Sequence, residues 1–235
     1  MGNTNNNPLL HERDVQRDRP EAREKSRHYR TKASIGNLHL FNPLDAGLME
    51  LPTIAPYYGP MPERLVPFHL AGSSKDCHGF IHFYIDDYRF ERLWTNPEKY
   101  LALLKRFDGV IGTDFSQLGD MPYPQRLWNC YRNRLLGHWM QYNGINYIHN
   151  VSWSLPDSYD YSFSGLPKAS VIAINCSGIS GTDVAKYLWY KGYEEAVRRL
   201  NPSAIVRYGT KLPEEKGAIS RYFENERLNL LRYGR

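Results

Sequence analysis

The chain has 235 residues, of which 41% are hydrophobic and 14% aromatic, enough for one large packed domain. Its formal net charge of +5 is uneven: residues 1–36 carry eight basic and five acidic side chains, which leaves only +2 for the rest. A nearly neutral body argues against a large nucleic-acid footprint on the fold itself. No apolar segment approaches the roughly 20 residues that span a bilayer, and the N-terminus lacks the basic and apolar regions of a secretory signal. We therefore expect a cytoplasmic protein with no membrane partner.

Composition divides the chain into four parts. Residues 1–36 are rich in asparagine and mixed charges and poor in large aliphatic side chains, which predicts a disordered charged tail. The alternative is a basic arm that folds on nucleic acid or on a partner. Residues 37–64 form a proline-rich lead-in, residues 65–220 a single α/β domain, and residues 221–235 a charged C-terminal helix or tail.

Short apolar runs alternate with helical patterns through the predicted domain. The predicted helices run from Asn96-Pro97 to Asp108-Gly109, from about Pro124 to Tyr142, and from about Thr182 to Leu200. The predicted strands are, in chain order, Leu65 to Ala71, Phe80 to Ile85, Val110 to Thr113, Ile145 to Val151, Ser170 to Asn175 and Ala204 to Tyr208.

This alternation favours an α/β fold with a mainly parallel sheet and crossover helices. The helices are too few for a complete eightfold barrel. Polar residues recur at the end of every strand, and no single switch point stands out. An irregular or incomplete (β/α) barrel is therefore favoured over an open doubly wound sheet, which remains the alternative.

The polar strand ends are the candidate site. The predicted catalytic residues are Asp86 and Asp87 after the second strand, Asp114 after the third and Asn150 at the fourth. Carboxylates gathered at one rim can serve as general acid and base, or can hold a divalent cation. A divalent cation is the only cofactor that this pattern suggests, and the cofactor is otherwise unknown. The plainer alternative is that polar residues end strands because loops and water begin there.

A second group of residues is predicted to bind substrate. Helix residues 126–134 interleave arginine and asparagine with aromatic side chains, which suits phosphate or a base edge. A solvated or core-bridging helix face is the alternative interpretation. The predicted substrate-binding residues are Arg89, Ser116, Asn129, Arg132, Trp153 and Asn175.

Six stretches resemble a known family. They are F-Y-I-D-D-Y-R-F-E-R-L-W (83–94), L-L-K-R-F-D-G-V-I-G-T-D-F-S (103–116), W-N-C-Y-R-N-R (128–134), V-S-W-S (151–154), L-P-K-A-S-V-I-A-I-N (166–175) and G-Y-E-E-A-V-R-R-L-N-P-S (192–203). The resemblance covers the chain from about residue 60 to residue 210. The family is uncharacterised, comes from bacteria, phages and other mobile elements, and is known only as a domain of unknown function. The resemblance implies a phage or plasmid setting and brings no activity, cofactor or catalytic residue with it.

Two functions remain in competition. One is an enzyme with a carboxylate-centred pocket that acts on a nucleotide, nucleic-acid or sugar-phosphate substrate. The other is a non-catalytic accessory protein that binds nucleic acid or a host protein through the tail and the Arg/Asn helix. Polar residues at successive strand ends favour the first, while the basic tail and the lack of a recognised catalytic motif favour the second. A phosphate-containing small molecule or nucleic acid is the expected partner.

Overall fold

The computed structural model describes residues 35–177, 182–211 and 219–225. The chain divides into two units, residues 1–41 and residues 42–235. In the first unit the described residues contain one short 3-10 turn, Leu38–Leu40. The predicted tail therefore lies almost entirely outside the described residues.

A single sheet of seven parallel strands organises the second unit. The strands are β1 (Leu65–Pro67), β2 (Phe80–His82), β3 (Gly109–Ile111), β4 (Tyr147–Asn150), β5 (Val171–Asn175), β6 (Ala204–Gly209) and β7 (Ile219–Glu224). They follow one another in sequence order, and every neighbouring pair is parallel. The order never reverses, as it would in a doubly wound sheet. The sheet curls as an open half-barrel, which confirms the predicted incomplete barrel.

Helices lie between the strands. They are α1 (Phe68–Ala71), α2 (Glu91–Thr95), α3 (Pro97–Leu104), α4 (Tyr123–Tyr142), α5 (Tyr159–Phe163) and α6 (Asp183–Leu200). Their ends follow the capping chemistry of the sequence: the Asn96 side chain accepts the Lys99 N–H at the start of α3, and the Thr182 hydroxyl accepts the Ala185 N–H at the start of α6. None of these helices, within the described part of the chain, is long and apolar enough to cross a membrane.

The sheet is apolar on both faces, as expected when helices cover one side and the barrel interior fills the other. Alternate residues of β5 illustrate the two faces. Ile172 and Ile174 pack with Leu200 of α6 in an outer cluster, whereas Val171 and Ala173 belong to an inner cluster. The same inner cluster takes one or more residues from each of β2, β3, β4 and β6, so the inner face leads directly to the strand ends.

Two predicted elements differ in the structure. The first strand stops at Pro67, because Pro67 is the N-cap of α1 and the next four residues are helical instead of extended. The segment predicted as a C-terminal helix or tail from residue 221 begins inside a strand, β7, which pairs with β6 over six residues. Residues 226–235 of that predicted segment lie outside the described residues, as do residues 178–181 between β5 and α6.

Candidate functional site

Asp114 is the centre of the strand-end site. It follows β3, and its two carboxylate oxygens accept hydrogen bonds from two different strands. Asn150 at the end of β4 donates from Nδ2 to Oδ1 at 2.7 Å, and Asn175 at the end of β5 donates from Nδ2 to Oδ2 at 2.8 Å. The structure thus brings together three of the residues that the sequence singled out, because the carboxyl ends of parallel strands share one edge.

Other hydrogen bonds fix the orientation of both amides. The Tyr84 hydroxyl donates to Asn150 Oδ1 at 3.0 Å, and the Ser177 backbone N–H donates to Asn175 Oδ1 at 2.9 Å. Each asparagine must therefore turn its Nδ2 group toward Asp114. The carboxylate is held by two neutral donors whose orientation is set before any ligand binds.

Burial raises the pKa of Asp114 above its ordinary value of 3.8. The two asparagine hydrogen bonds act in the opposite direction, and the charge of Asp87 adds to the increase. Ion-paired carboxylates behave differently in this protein. The Arg126 guanidinium lowers the pKa of Asp157, and Arg198 and Arg199 lower that of Glu195 to about 2. The pKa of Asp114 is therefore shifted in the opposite direction to the pKa values of these two ion-paired carboxylates.

Three aromatic rings lie next to the two asparagines on the inner face. Tyr84 stacks on Tyr208 of β6 with ring centroids 4.7 Å apart, and the His82 ring lies 4.9 Å from that of Tyr208. His82 Nδ1 accepts the Tyr84 backbone N–H at 3.2 Å, which leaves the ring proton on Nε2. Burial, with the nearby His69, lowers the pKa of His82 from 6.5 to about 3, so this imidazole is neutral at physiological pH.

Asp86 and Asp87 both lie beyond β2. Asp87 begins a 3-10 turn, Asp87–Arg89, and Asp86 directly precedes that turn. Asp87 contacts the loop that carries Asp114, because its carboxylate accepts the Ser116 N–H at 3.1 Å and the Ser116 hydroxyl at 2.9 Å. Asp86 instead forms an ion pair with Arg89, with 3.4 Å between Oδ2 and Nε. Of the two acids, Asp87 is the one that shares a neighbourhood with Asp114.

Helix α4 holds the Asp114 loop from behind. The buried Asn133 side chain accepts the Phe115 N–H at 3.0 Å and donates to the Phe115 carbonyl at 3.4 Å. Asn129 donates to the Ser116 carbonyl at 2.5 Å. Arg132 forms an ion pair with Glu91, in which Nη1 donates to both carboxylate oxygens at 2.9 Å, and its guanidinium lies 3.6 Å from the centre of the Phe115 ring. These contacts are all within the protein and favour a positioning role for this face of α4.

Trp153 lies on the outer side of the sheet near α6. Its ring packs on Trp189 at 5.4 Å and on Phe163 at 6.0 Å. A Cβ atom added to Gly192 would overlap the Trp153 indole nitrogen. The helix approaches the indole this closely because residue 192 has no side chain. The predicted role of Trp153 in binding substrate stays a prediction, and the contacts of its ring are packing contacts.

Sequence reasoning missed several polar residues of the site. Tyr84 reads as part of an apolar strand, and Thr113 reads as a strand end without charge. Gln117, whose Nε2 donates to the Ser152 hydroxyl at 2.8 Å, lies in a loop without a motif. The signal that could have found Tyr84 is the two-residue period of the strand, which puts Phe80, His82 and Tyr84 on one face.

Two other features of the described residues bear on the choice of site. These residues contain no group of three or more His, Cys, Asp or Glu side chains placed to hold a metal ion. A surface depression of about 410 Å³ lies away from Asp114, between the start of α5 and α6, where Tyr159, Tyr187 and Arg198 line it. Asp114 and its asparagines are the better candidate, because they combine convergent polar groups with a perturbed pKa.

Comparison with known proteins identifies relatives in phages. Residues 45–224 match the family described as Domain of unknown function (DUF4417). The Gene 1 protein of Mycobacterium phage L5 is 36% identical over 156 residues, which cover 63% of this chain and 68% of that protein. The Gene 1 protein of Mycobacterium phage D29 is 33% identical over 171 residues, which cover 68% of this chain and 63% of that protein. The match thus spans about two thirds of the length of each relative. No solved structure matches the chain.

Proposed function

Since the chain belongs to the DUF4417 family, which is described as a domain of unknown function, we propose from its site that it is an enzyme in which Asp114 transfers a proton. The substrate class we propose is a nucleotide, nucleic-acid or sugar-phosphate compound. Asp114 acts as the general acid or base, and Asn150 and Asn175 hold it in place. The negative charge of Asp87 raises the pKa of Asp114 and so keeps Asp114 protonated to a higher pH.

One observation carries this proposal: Asp114 is a partly buried carboxylate without an ion-pair partner among the described residues, held by two oriented amides at the rim of a parallel half-barrel. A carboxylate that served only stability would gain from a cation, as Asp157 does from Arg126. Two neutral donors favour the ionised form of the carboxylate less strongly than a cation does. That arrangement suits a group that must both lose and regain a proton.

The substrate class is supported by Arg89 and Asp87, which flank Tyr88 on one turn. Asp87 ties the turn to the Asp114 loop through Ser116. The Arg89 guanidinium is about one-third exposed, with 3.4 Å to its nearest carboxylate oxygen, longer than the 2.9 Å of the Arg132–Glu91 pair. It is therefore able to turn toward a phosphate at modest cost.

The accessory-protein alternative has less support from the described residues. It needs the arginines and asparagines of α4 to face a partner. Arg126 is bonded to Asp157 at 2.8 and 2.9 Å, Arg132 to Glu91, and Asn129 to the Ser116 carbonyl. A nucleic acid would have to displace these internal bonds, so this alternative depends on the N-terminal tail.

The test compares the parent protein with Asp114→Asn and with the double variant Asp114→Asn/Asn175→Asp. Each is incubated with nucleotides, oligonucleotides and sugar phosphates, and conversion is followed by ³¹P NMR and mass spectrometry. We expect the parent to convert at least one compound and Asp114→Asn to lose a factor of about 10² to 10⁴ in rate, the usual contribution of general acid–base catalysis.

The double variant is the control for folding. It exchanges the acid and the amide, so the hydrogen bonds between positions 114 and 175 are retained while the acid is displaced. We expect a folded protein with activity as low as that of Asp114→Asn. Full activity in Asp114→Asn, or no conversion by the parent together with salt-dependent nucleic-acid binding that is lost with residues 1–34, would instead support the accessory function.

A further inference from the structure

Two buried polar atoms belong to residues that precede and follow Asp114 in the same loop. Thr113 Oγ1 and Gln117 Oε1 have no hydrogen-bond partner in the part of the chain that the structure describes. The Thr113 residue is only 1% exposed and the Gln117 residue 9%. Most buried polar atoms in native proteins are paired, so an exception at a candidate site indicates a missing ligand atom or an ordered water.

Contacts of this loop connect both residues to the end of β4, where Asn150 holds the carboxylate. Gln117 Nε2 donates to the hydroxyl of Ser152, which lies two residues after Asn150. The Thr113 carbonyl lies 3.5 Å from Asn150 Nδ2, the same atom that holds Asp114. In this arrangement the Gln117 amide donates to Ser152, and its oxygen is left as an acceptor.

We propose that Thr113 Oγ1 and Gln117 Oε1 form a hydrogen-bonding subsite for the substrate beside Asp114, an inference that rests on the proposed role of Asp114 in proton transfer. An amide oxygen only accepts, so the ligand group that meets Gln117 must be a donor. The Thr113 hydroxyl can donate or accept, so it can bond to either the oxygen or the hydrogen of a hydroxyl group on the ligand. The subsite therefore takes a ligand that carries hydroxyl or amino groups, the chemistry shared by sugars and by the amino-bearing nucleobases.

Thr113→Val gives the cleanest test, because it replaces the hydroxyl by a methyl group of similar size. Binding is measured by calorimetry with two probes, ribose 5-phosphate and 2′,3′-dideoxyadenosine 5′-monophosphate. The first offers sugar hydroxyls without a base, and the second an amino-bearing base without the 2′ and 3′ hydroxyls. Binding of only the first assigns a sugar hydroxyl to the subsite, and binding of only the second assigns the base amino group.

Loss of one hydrogen bond to the ligand should weaken binding of the recognised probe about tenfold in Thr113→Val. The same variant should keep or raise the melting temperature of the free protein, because the hydroxyl it removes bonds to no described protein atom. Gln117→Leu should also weaken binding about tenfold.

Tyr161→Phe is the matched control. Tyr161 lies in α5, and its buried hydroxyl likewise has no partner among the described residues. Its removal should leave the affinity for both probes unchanged. A general effect of deleting any unpaired hydroxyl would instead appear equally in this variant and in Thr113→Val.

Three results would overturn the subsite. Parent-level binding in both Thr113→Val and Gln117→Leu would mean that the two atoms hold ordered water only. A lower melting temperature in Thr113→Val would mean that its hydroxyl already has a partner in the free protein. Failure of both probes to bind the parent at millimolar concentration would exclude this ligand chemistry. None of the three decides the role of Asp114, which the rate loss in Asp114→Asn tests separately.

Discussion

Asn175 donates its Nδ2–H to Asp114 Oδ2 across 2.8 Å and thereby joins the ends of β3 and β5 over the intervening strand β4. Asn150 of β4 completes the group from the middle with a bond of 2.7 Å to the other carboxylate oxygen. Three adjacent strand ends therefore converge on one acid. This arrangement and the loop contacts that support it determine how the protein should respond to substitution and to pH.

Exchanging the acid and the amide should restore the stability that a single substitution loses. In Asp114→Asn the new side chain has only one acceptor for two fixed amide donors, so one donor loses its partner at a cost of about 1–3 kcal/mol. In Asp114→Asn/Asn175→Asp the new amide at 114 donates to the new acid at 175, which still accepts the Ser177 N–H. Urea unfolding at pH 7 should place the double variant above Asp114→Asn. Equal or lower stability would show that these hydrogen bonds do not hold the site.

Acid should destabilise the protein through His82. Its folded pKa of about 3 is depressed below the ordinary 6.5, so its contribution is fully present above pH 6.5 and is lost as the pH falls toward 3. The free energy of unfolding should fall by up to about 1.4 kcal/mol per pH unit through this group. His82→Asn removes that titration, so its unfolding free energy should fall less steeply below pH 6.5. Parallel pH curves for parent and variant would contradict the prediction.

Asn133 should matter for the position of Asp114, and α4 provides a matched comparison. Asn133 exchanges two hydrogen bonds with the Phe115 backbone inside the protein, and Gln141 exchanges two with the Ala55 backbone at the surface. Asn133→Leu leaves two buried backbone groups unpaired and should cost about 2–4 kcal/mol. Gln141→Leu, where water replaces the side chain, should cost less than about 1 kcal/mol.

The two variants should also differ at the site itself. Asn133→Leu should shift the backbone amide signals of residues 113–117, whereas Gln141→Leu should leave them in place. Similar shifts from both substitutions would mean that Asn133 is a general stabiliser and does not position the Asp114 loop.

Gly192 should tolerate no side chain, because α6 lies directly against the Trp153 indole. A Cβ there overlaps the ring, so Gly192→Ala should destabilise by about 1–3 kcal/mol through overpacking. Gly72 is the control: it has no heavy atom within 4 Å of an added Cβ and an ordinary helical φ of −64°. Gly72→Ala should change the melting temperature by no more than a few degrees. Equal losses in the two variants would rule out the close helix–indole contact.

The sequence predicted most of the fold because the strands are short and apolar and the helix ends carry ordinary caps. The incomplete barrel could be favoured over an open doubly wound sheet because polar residues follow several strands, whereas such a sheet has a single switch point. The same patterns could not predict β7, where Ser220 and Arg221 separate Ile219 from the two aromatic residues and leave no apolar run. The Arg221 side chain reaches the carbonyls of Met61 and Pro62, a contact between distant segments that no local pattern encodes.

The candidate site was predictable in part for a related reason. Asp114, Asn150 and Asn175 each follow an apolar run, and parallel pairing alone brings such residues to one edge. The contributions of Tyr84 and Asn133 depend on tertiary contacts, since Tyr84 reads as strand core and Asn133 as part of a helix face suited to phosphate or a base edge. Asp86 and Asp87 are adjacent in sequence, and only the 3-10 turn after β2 decides that Asp87 faces the Asp114 loop.

The most direct test of the proposed role of Asp114 is its pKa, measured by NMR titration of its ¹³Cγ signal and assigned with Asp114→Asn. Burial beside Asp87 predicts a midpoint above the ordinary 3.8, and Glu195, at about 2, is the ion-paired reference in the same spectra. If the protein acts as proposed, the pH dependence of turnover shows the same raised midpoint. A midpoint at or below 3.8 would mean that Asp114 stays ionised as a structural carboxylate, and the proposed role in proton transfer would be wrong.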